Sequence, residues 1–200
     1  MDIQEFFQLC EGQWVSQRTE HHILQEKTDV ARADLWMECL SAESSPVIEA
    51  CKQSNLPADQ AICGLEVTWK ATLSNGRTQI GTTLLVPVLD PQAPHQGRLI
   101  SQSQQGAVRL GTFTLGQDEV MTLVQTQDHG TLSERIWFAS PNLRIRSSTL
   151  THDQGTSEAN FCSEIRRMGS LQPKPDAHEA QKSPLLAWQE RYQQQQQLSP

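Results

Sequence analysis

The chain has 200 residues, with 16 Lys and Arg against 23 Asp and Glu and a net charge of −7, which suits one domain and a tail. It has no basic block to meet a phosphate backbone and no apolar run of the roughly 18 residues that a spanning helix needs, so nucleic-acid binding and a membrane span are not expected. Acids in the opening MDIQEFFQLCEGQW, where a signal peptide needs a basic segment, and five scattered cysteines (Cys10, Cys39, Cys51, Cys63 and Cys162) predict a cytoplasmic protein without a disulfide frame.

A short helix opens the chain. Asp2 can cap it, Glu5 stands three residues on at capping-box spacing, and Ile3, Phe6, Phe7 and Cys10 share one face. Gly12 can stop it. Strands are predicted at 13–24 and 33–41. A second helix is expected over 45–54, with Ser45 as its cap, Pro46 at the first helical position, and Val47, Ile48 and Cys51 as its apolar stripe. Leu56-Pro57 closes that segment, because the residue before proline avoids helical geometry. Further strands are predicted at 62–73, 78–87, 97–103, 107–115, 119–127, 132–139, 142–151 and 157–167. Turn signals part them: Ser74-Asn75-Gly76, Asp90-Pro91, Leu115-Gly116-Gln117-Asp118, His129-Gly130, Ser140-Pro141-Asn142 and Gln154-Gly155. Alternation, as in Val67-Thr68-Trp69-Lys70-Ala71, gives most strands one buried and one wetter face. The pattern reads as an all-β antiparallel sandwich or barrel, since two helices cannot cover both faces of a parallel sheet. From Gly169 the composition changes: Pro173, Pro175, Pro184 and the glutamines 193–197 mark 169–200 as a Pro/Gln-rich flexible tail. Within it, 169–182 reads as a linker and 184–197 as a marginal helix carrying Leu185, Leu186, Trp188 and Tyr192.

A barrel of this size has room for one small organic ligand, held by apolar walls and a few placed polar groups. The run Ser133 to Thr149 is the most informative. It reads as a hairpin turning at Ser140-Pro141-Asn142. Arg144, Arg146 and Ser148 share one face of its second strand, against Leu143, Ile145 and Ser147. Glu134, Ile136 and Phe138 share a face of its first strand, against Arg135 and Trp137. If Leu143 and Ile145 face the core, the arginines are a solvated outer face. If the barrel encloses a ligand, they line the hollow, where two such guanidiniums suit two carboxylates.

The strings ERIWFASPNLRIRSST, EFFQLCEGQWVSQRTEHH and SEANFCSEIR are long and specific. On them the chain, over residues 3–167, resembles the S-type (CpcS/CpeS) phycobiliprotein chromophore lyases. The resemblance implies a lipocalin-like (calycin) antiparallel β-barrel of ten strands over 1–168, with an N-terminal helix and one further short helix. It implies a lyase that binds a linear tetrapyrrole of the phycocyanobilin type and attaches it by a thioether bond to a cysteine of an apo-phycobiliprotein subunit, with a β subunit expected. The bilin is then substrate, with no permanently bound cofactor, and the setting is the cyanobacterial cytosol. The alternative is a non-catalytic bilin carrier, or the U-type partner subunit of a heterodimeric lyase; a homodimer is also open. The resemblance turns the arginines inward. Arg144 and Arg146 become propionate anchors, Glu134 the catalytic acid group beside the pyrrole nitrogens, and Arg18, Trp69 and Ser148 the rest of the pocket. Two stretches depart from the family's habit: Ser101-Gln102-Ser103-Gln104-Gln105, where charged residues are usual, and the strand around Gln125 and Gln127.

Other candidates read as structural. His21 and His22 are neighbours on a strand and point to opposite faces, so no metal site is predicted. The cysteines lack a nearby base or a Cys-x-x-Cys partner and read as buried, unreactive thiols. Trp14, Trp36 and Trp137 read as core, and the Phe6-Phe7 pair as the plug of one barrel end.

Overall fold

Each strand turns alternate residues inward, and that rule closes the chain on itself. A computed structural model describes residues 1–73, 76–104, 106–127, 130–152 and 155–175. In chain order the elements are α1 (Ile3–Cys10), β1 (Gly12–His22), β2 (Lys27–Ser41), α2 (Ser45–Gln53), β3 (Cys63–Leu73), β4 (Thr78–Asp90), β5 (Ala93–Ser103), β6 (Val108–Leu115), β7 (Met121–Gln127), β8 (Gly130–Ser140), β9 (Leu143–His152) and β10 (Gly155–Arg166). Short 3-10 turns lie at Ile23–Gln25 and Ala58–Gln60. Each strand pairs antiparallel with the next, and β1 pairs with β10, so the ten form a closed barrel without an open edge. The predicted strands are all present. The largest change is in β2, which starts at Lys27 rather than residue 33. Its first residues carry no apolar pattern, but they pair with the far end of β1, Glu20 opposite Asp29 and His22 opposite Lys27.

α1 plugs one end of the barrel. Its capping box is complete, with Asp2 and Glu5 exchanging backbone-to-carboxylate bonds of 2.8 Å. Ile3, Phe6, Phe7 and Cys10 are buried, and the Phe6 ring meets Phe138 edge-on at 5.3 Å. The helix C-terminus is held from outside. Arg166 donates to the carbonyls of Leu9 and Glu11, and its guanidinium lies over the Trp14 ring, 4.2 Å from the centroid. Gly12 makes room for this. Its φ is +120°, and a Cβ there would stand 2.8 Å from Arg166 Nη1.

α2 covers the outside. Val47, Ala50 and Cys51 pack on Leu84, Val86, Val88 and Ile100 of β4 and β5. That second core explains why β4 reads as a continuous apolar run: Leu85 faces the hollow while its neighbours face α2. The N-cap of α2 is Ser44, one residue before the expected Ser45, and its side chain makes no capping bond. Residues 171–174 lie along the outer face of β1–β3. Gln13 and Gln172 exchange two hydrogen bonds, Trp36 Nε1 donates to the Gln172 carbonyl, and Lys174 reaches Glu66 at 2.6 Å and Glu38 at 3.2 Å. Trp36 is therefore buried under this segment and not in the barrel interior. The rest of the expected tail, 176–200 with its helix, lies outside the described residues, as do turn positions Ser74, Asn75, His129 and Gln154.

Candidate functional site

The register of β1, β10, β9 and β8 builds one ionic wall. Across β9, β10 and β1, Arg144 stands opposite Glu164, which stands opposite Ser16. One rung further from α1, Arg146 stands opposite Cys162, which stands opposite Arg18. Next come Ser148 and Asn160, with Glu134 beside Ser148 on β8. All of these side chains line the same hollow. The arginines therefore point inward, and Leu143 and Ile145 stand on the outer face. Arg135 is exposed, as alternation along β8 requires.

The charges alternate along the wall. Arg144 Nε donates to Glu164 Oε2 at 2.5 Å, Arg146 Nε lies 3.3 Å from Glu164 Oε1, and Arg146 Nη1 lies 3.5 Å from Glu134 Oε1. Glu164 is fully buried. Burial alone would push its carboxyl up, but Arg144, Arg146 and the Ser16 hydroxyl overcome this and hold it below the usual carboxylate range. Burial likewise works against the charge on both guanidiniums. Glu164 more than restores it at Arg144, and Glu134 with Glu164 does so at Arg146.

The two arginines are not equivalent. Arg144 is 5% exposed, donates to the Cys10 sulfur at 3.0 Å and lies near the Trp14 ring, so it knits α1 to the barrel. The Arg146 side chain is 33% exposed and its contacts, apart from Glu164, are long, including 3.8 Å to Cys162 Sγ. Arg18 is 17% exposed and pairs with Glu20 at 3.0 Å. Arg146 and Arg18 thus flank Cys162 with donors that face open space.

The opposite wall is apolar, formed by Leu65, Trp69, Leu85, Leu99, Met121 and Leu123. Polar side chains interrupt it at Thr83, Ser101, Arg109 and Gln125. Trp69 Nε1 and Gln125 Oε1 are buried and make no hydrogen bond among the described residues, and a ligand could satisfy both. Phe6, Phe7 and Cys10 close the floor. The hollow encloses about 190 Å3. That is below the roughly 300–1,000 Å3 of sites that swallow a drug-sized ligand. An elongated guest would keep one end in the mouth, which lies at the β1–β2 and β3–β4 hairpin end.

All six predicted site residues, Arg18, Trp69, Glu134, Arg144, Arg146 and Ser148, meet in this hollow. Sequence reasoning missed Glu164 and Cys162. The signal was period-two spacing in SEANFCSEIR, which sets Asn160, Cys162 and Glu164 on one face. The cysteines are free, and all but Cys39 are buried. Burial pushes the thiols up, Cys39 to about 11 and Cys63 to about 12, and Cys162 upward despite Arg146.

A closed antiparallel barrel with an ionic wall facing an apolar one belongs to the class of lipocalin-like ligand-binding barrels. Comparisons place it more narrowly. Residues 2–167 match the CpeS-like protein family, and the chain belongs to that family. It is 39% identical over 176 residues to the chromophore lyase CpcS/CpeS of Thermosynechococcus vestitus, covering 86% of this chain and 96% of that one. It is 29% identical to the phycocyanobilin lyase subunit CpcS of Picosynechococcus, over 93% of this chain and 96% of that one. Among solved structures, the S-type phycobiliprotein lyase CpeS of Guillardia theta superposes with a TM-score of 0.74 at 28% identity, over 85% of this chain and 95% of that one.

Proposed function

We propose that this protein is a bilin lyase. It holds a linear tetrapyrrole in the barrel and delivers it to a cysteine of an apo-phycobiliprotein, with a phycocyanobilin-type pigment and a β subunit as the pair we expect, in the cytosol. The bilin is substrate, not resident cofactor. The observation that carries this reading is the pair of inward, partly exposed guanidiniums of Arg146 and Arg18 facing an apolar wall. A bilin has the matching form: an apolar ribbon of four rings with two propionates.

In this reading each side chain has a part. Arg146 and Arg18 take the propionates, while Arg144, tied to Glu164, Cys10 and Trp14, positions the wall and the floor. A propionate on Arg146 replaces the long contact to Glu134 and frees that carboxylate for the pyrrole N–H groups. A carboxylate there favours the protonated bilin, which makes the A-ring ethylidene more electrophilic. Ser148 and Trp69 Nε1 supply further hydrogen bonds. The small hollow leaves the reacting ring in the mouth, where the partner's thiolate can reach it. The sulfur adds to the ethylidene carbon, the double-bond pair shifts into the ring system, and a proton is taken up; nothing leaves. The lyase contributes placement and protonation.

Co-expression with an apo-subunit and a bilin-producing pathway tests this. The lyase reading requires pigment on the subunit that survives acid–urea denaturation. Glu134→Gln should slow transfer by roughly 100-fold or more, the usual scale for a lost acid–base group, while bilin binding persists. Colour that binds this chain but never becomes covalent on the subunit would favour a carrier or partner subunit instead.

A further inference from the structure

A second cluster stands just beyond the ionic wall, at the open end. Glu20 and His22 lie on the inward face of β1, Glu158 stands opposite His22 on β10, and Asp29 stands opposite Glu20 on β2. Glu20, His22 and Glu158 each offer a donor atom, and the three donors lie within 4.8 Å of one another. His22 Nε2 is 3.8 Å from Glu20 Oε1 and 3.4 Å from Asp29 Oδ2, and His22 Nδ1 is 3.5 Å from Glu158 Oε1. Two of the carboxylates are deep, Glu20 at 3% and Glu158 at 7% exposure. Arg18, 3.0 Å from Glu20, and Lys27, 2.8 Å from Asp29, offset part of this negative charge.

Glu20 shows where a metal ion would sit. Arg18 holds its Oε2 at 3.0 Å, while its buried Oε1, turned to His22, makes no hydrogen bond among the described residues. Arg18 thus acts as the outer partner that orients a ligand carboxylate. We propose that Glu20, His22 and Glu158, with Asp29 at the rim, form a binding site for a first-row divalent transition ion such as Zn2+. One imidazole nitrogen and carboxylate oxygens, with no thiolate in the cluster, are a borderline-hard donor set that such ions take. One ion takes a single nitrogen of His22, so metal–ligand bonds of about 2.0–2.2 Å require the ring or a carboxylate to turn until all three donors face the same side, and three protein ligands leave a position for water. An ion here ties β10 to the β1–β2 hairpin at the barrel mouth. The site does not depend on the pigment reading. Its ligands come from three strands, so spacing along the sequence could not reveal it.

The test titrates the metal-free full-length chain with Zn2+ by calorimetry and with Co2+ by absorption. The proposal requires one ion per chain, Co2+ bands without a thiolate charge-transfer component, and a higher melting temperature with Zn2+. His22→Gln and Glu158→Gln should each weaken binding by more than about tenfold, since losing an outer partner alone costs 10–100-fold. Each removes a donor and no apolar contact; should one fail to fold, the other and the Co2+ spectrum of the unaltered chain still decide. No binding, a thiolate band, or variants that bind as the unaltered chain does would overturn the site. The cluster would then be a metal-free contact of His22 with the carboxylates around it.

Discussion

Glu164→Gln is the sharpest perturbation of the ionic wall. The substitution keeps the side-chain shape and removes the charge that Arg144 Nε meets at 2.5 Å and Arg146 Nε at 3.3 Å. Arg146 can turn to Glu134 and to the hollow. Arg144 cannot: it is 5% exposed, and its remaining neighbours are the Cys10 sulfur and the Trp14 ring. Stripping one member from a buried pair costs about 3–5 kcal/mol, because an uncompensated charge stays behind. In a domain of this size each kcal/mol moves the melting temperature by about 2–4 °C, so a drop of roughly 6–20 °C is expected. Thermal melting by circular dichroism and urea titration at constant m-value measure it. The double variant Arg144→Met with Glu164→Leu should recover most of the loss, since the charge that needed a partner is gone. A single-variant loss under about 1 kcal/mol, the scale of an exposed pair, would refute the reasoning. A double variant less stable than the single one would do the same.

The wall also sets an acid limit. The Glu164 carboxyl is held below its ordinary value of about 4.3, so its stabilisation is full above that pH and is lost as pH falls through the depressed value. Melting temperatures between neutral pH and pH 3 should fall steeply at the acid end, and less steeply in Glu164→Gln; parallel profiles would contradict this. Arg166→Ala removes the bonds to the Leu9 and Glu11 carbonyls and the cover over Trp14, at a cost of about 1–3 kcal/mol. Amide exchange in α1 should rise with it, and unchanged protection of 6–11 would show that the helix needs no such staple. Phe6→Ala opens a hole under Phe138 and should cost about 3–5 kcal/mol in urea titrations; a near-neutral result would mean that the plug is not packed as described.

Most of the fold was legible because alternation is local. Val67 to Ala71 or Arg144 to Ser148 show their two faces without any partner, and turn residues separate the strands. The start of β2 was not legible, since Lys27 to Arg32 are held by the ladder to β1 and not by apolar burial. Ser44 and not Ser45 stands at the cap, and since its side chain makes no capping bond, residue type could not choose between the two serines. Trp36 looked like core because its cover comes from residues 136 positions away. In the site, alternation grouped Arg144 with Arg146 but left open which way they face. The family resemblance chose the inward side, where the structure places them. Glu164 escaped notice for a physical reason: a buried acid is identified by its cationic partners, and those lie on another strand. The difference between Arg144 and Arg146 has the same origin, since only α1 packing over β9 makes one a structural tie and leaves the other reachable.

The account turns on guanidiniums gripping the two acid tails of an open-chain pigment, and esterifying those tails tests it most directly. Phycocyanobilin and its dimethyl ester are titrated by absorption into the unaltered protein and into Arg146→Gln. Each charge-assisted bond contributes about 1.5–3 kcal/mol, so the unaltered protein, losing two of them, should bind the ester roughly 100–10,000-fold more weakly than the diacid. Arg146→Gln, losing one of the two bonds, should bind the diacid roughly 10–100-fold more weakly and lose almost nothing more for the ester. Equal affinity for diacid and ester in the unaltered protein, or an equal loss for both in Arg146→Gln, would contradict it.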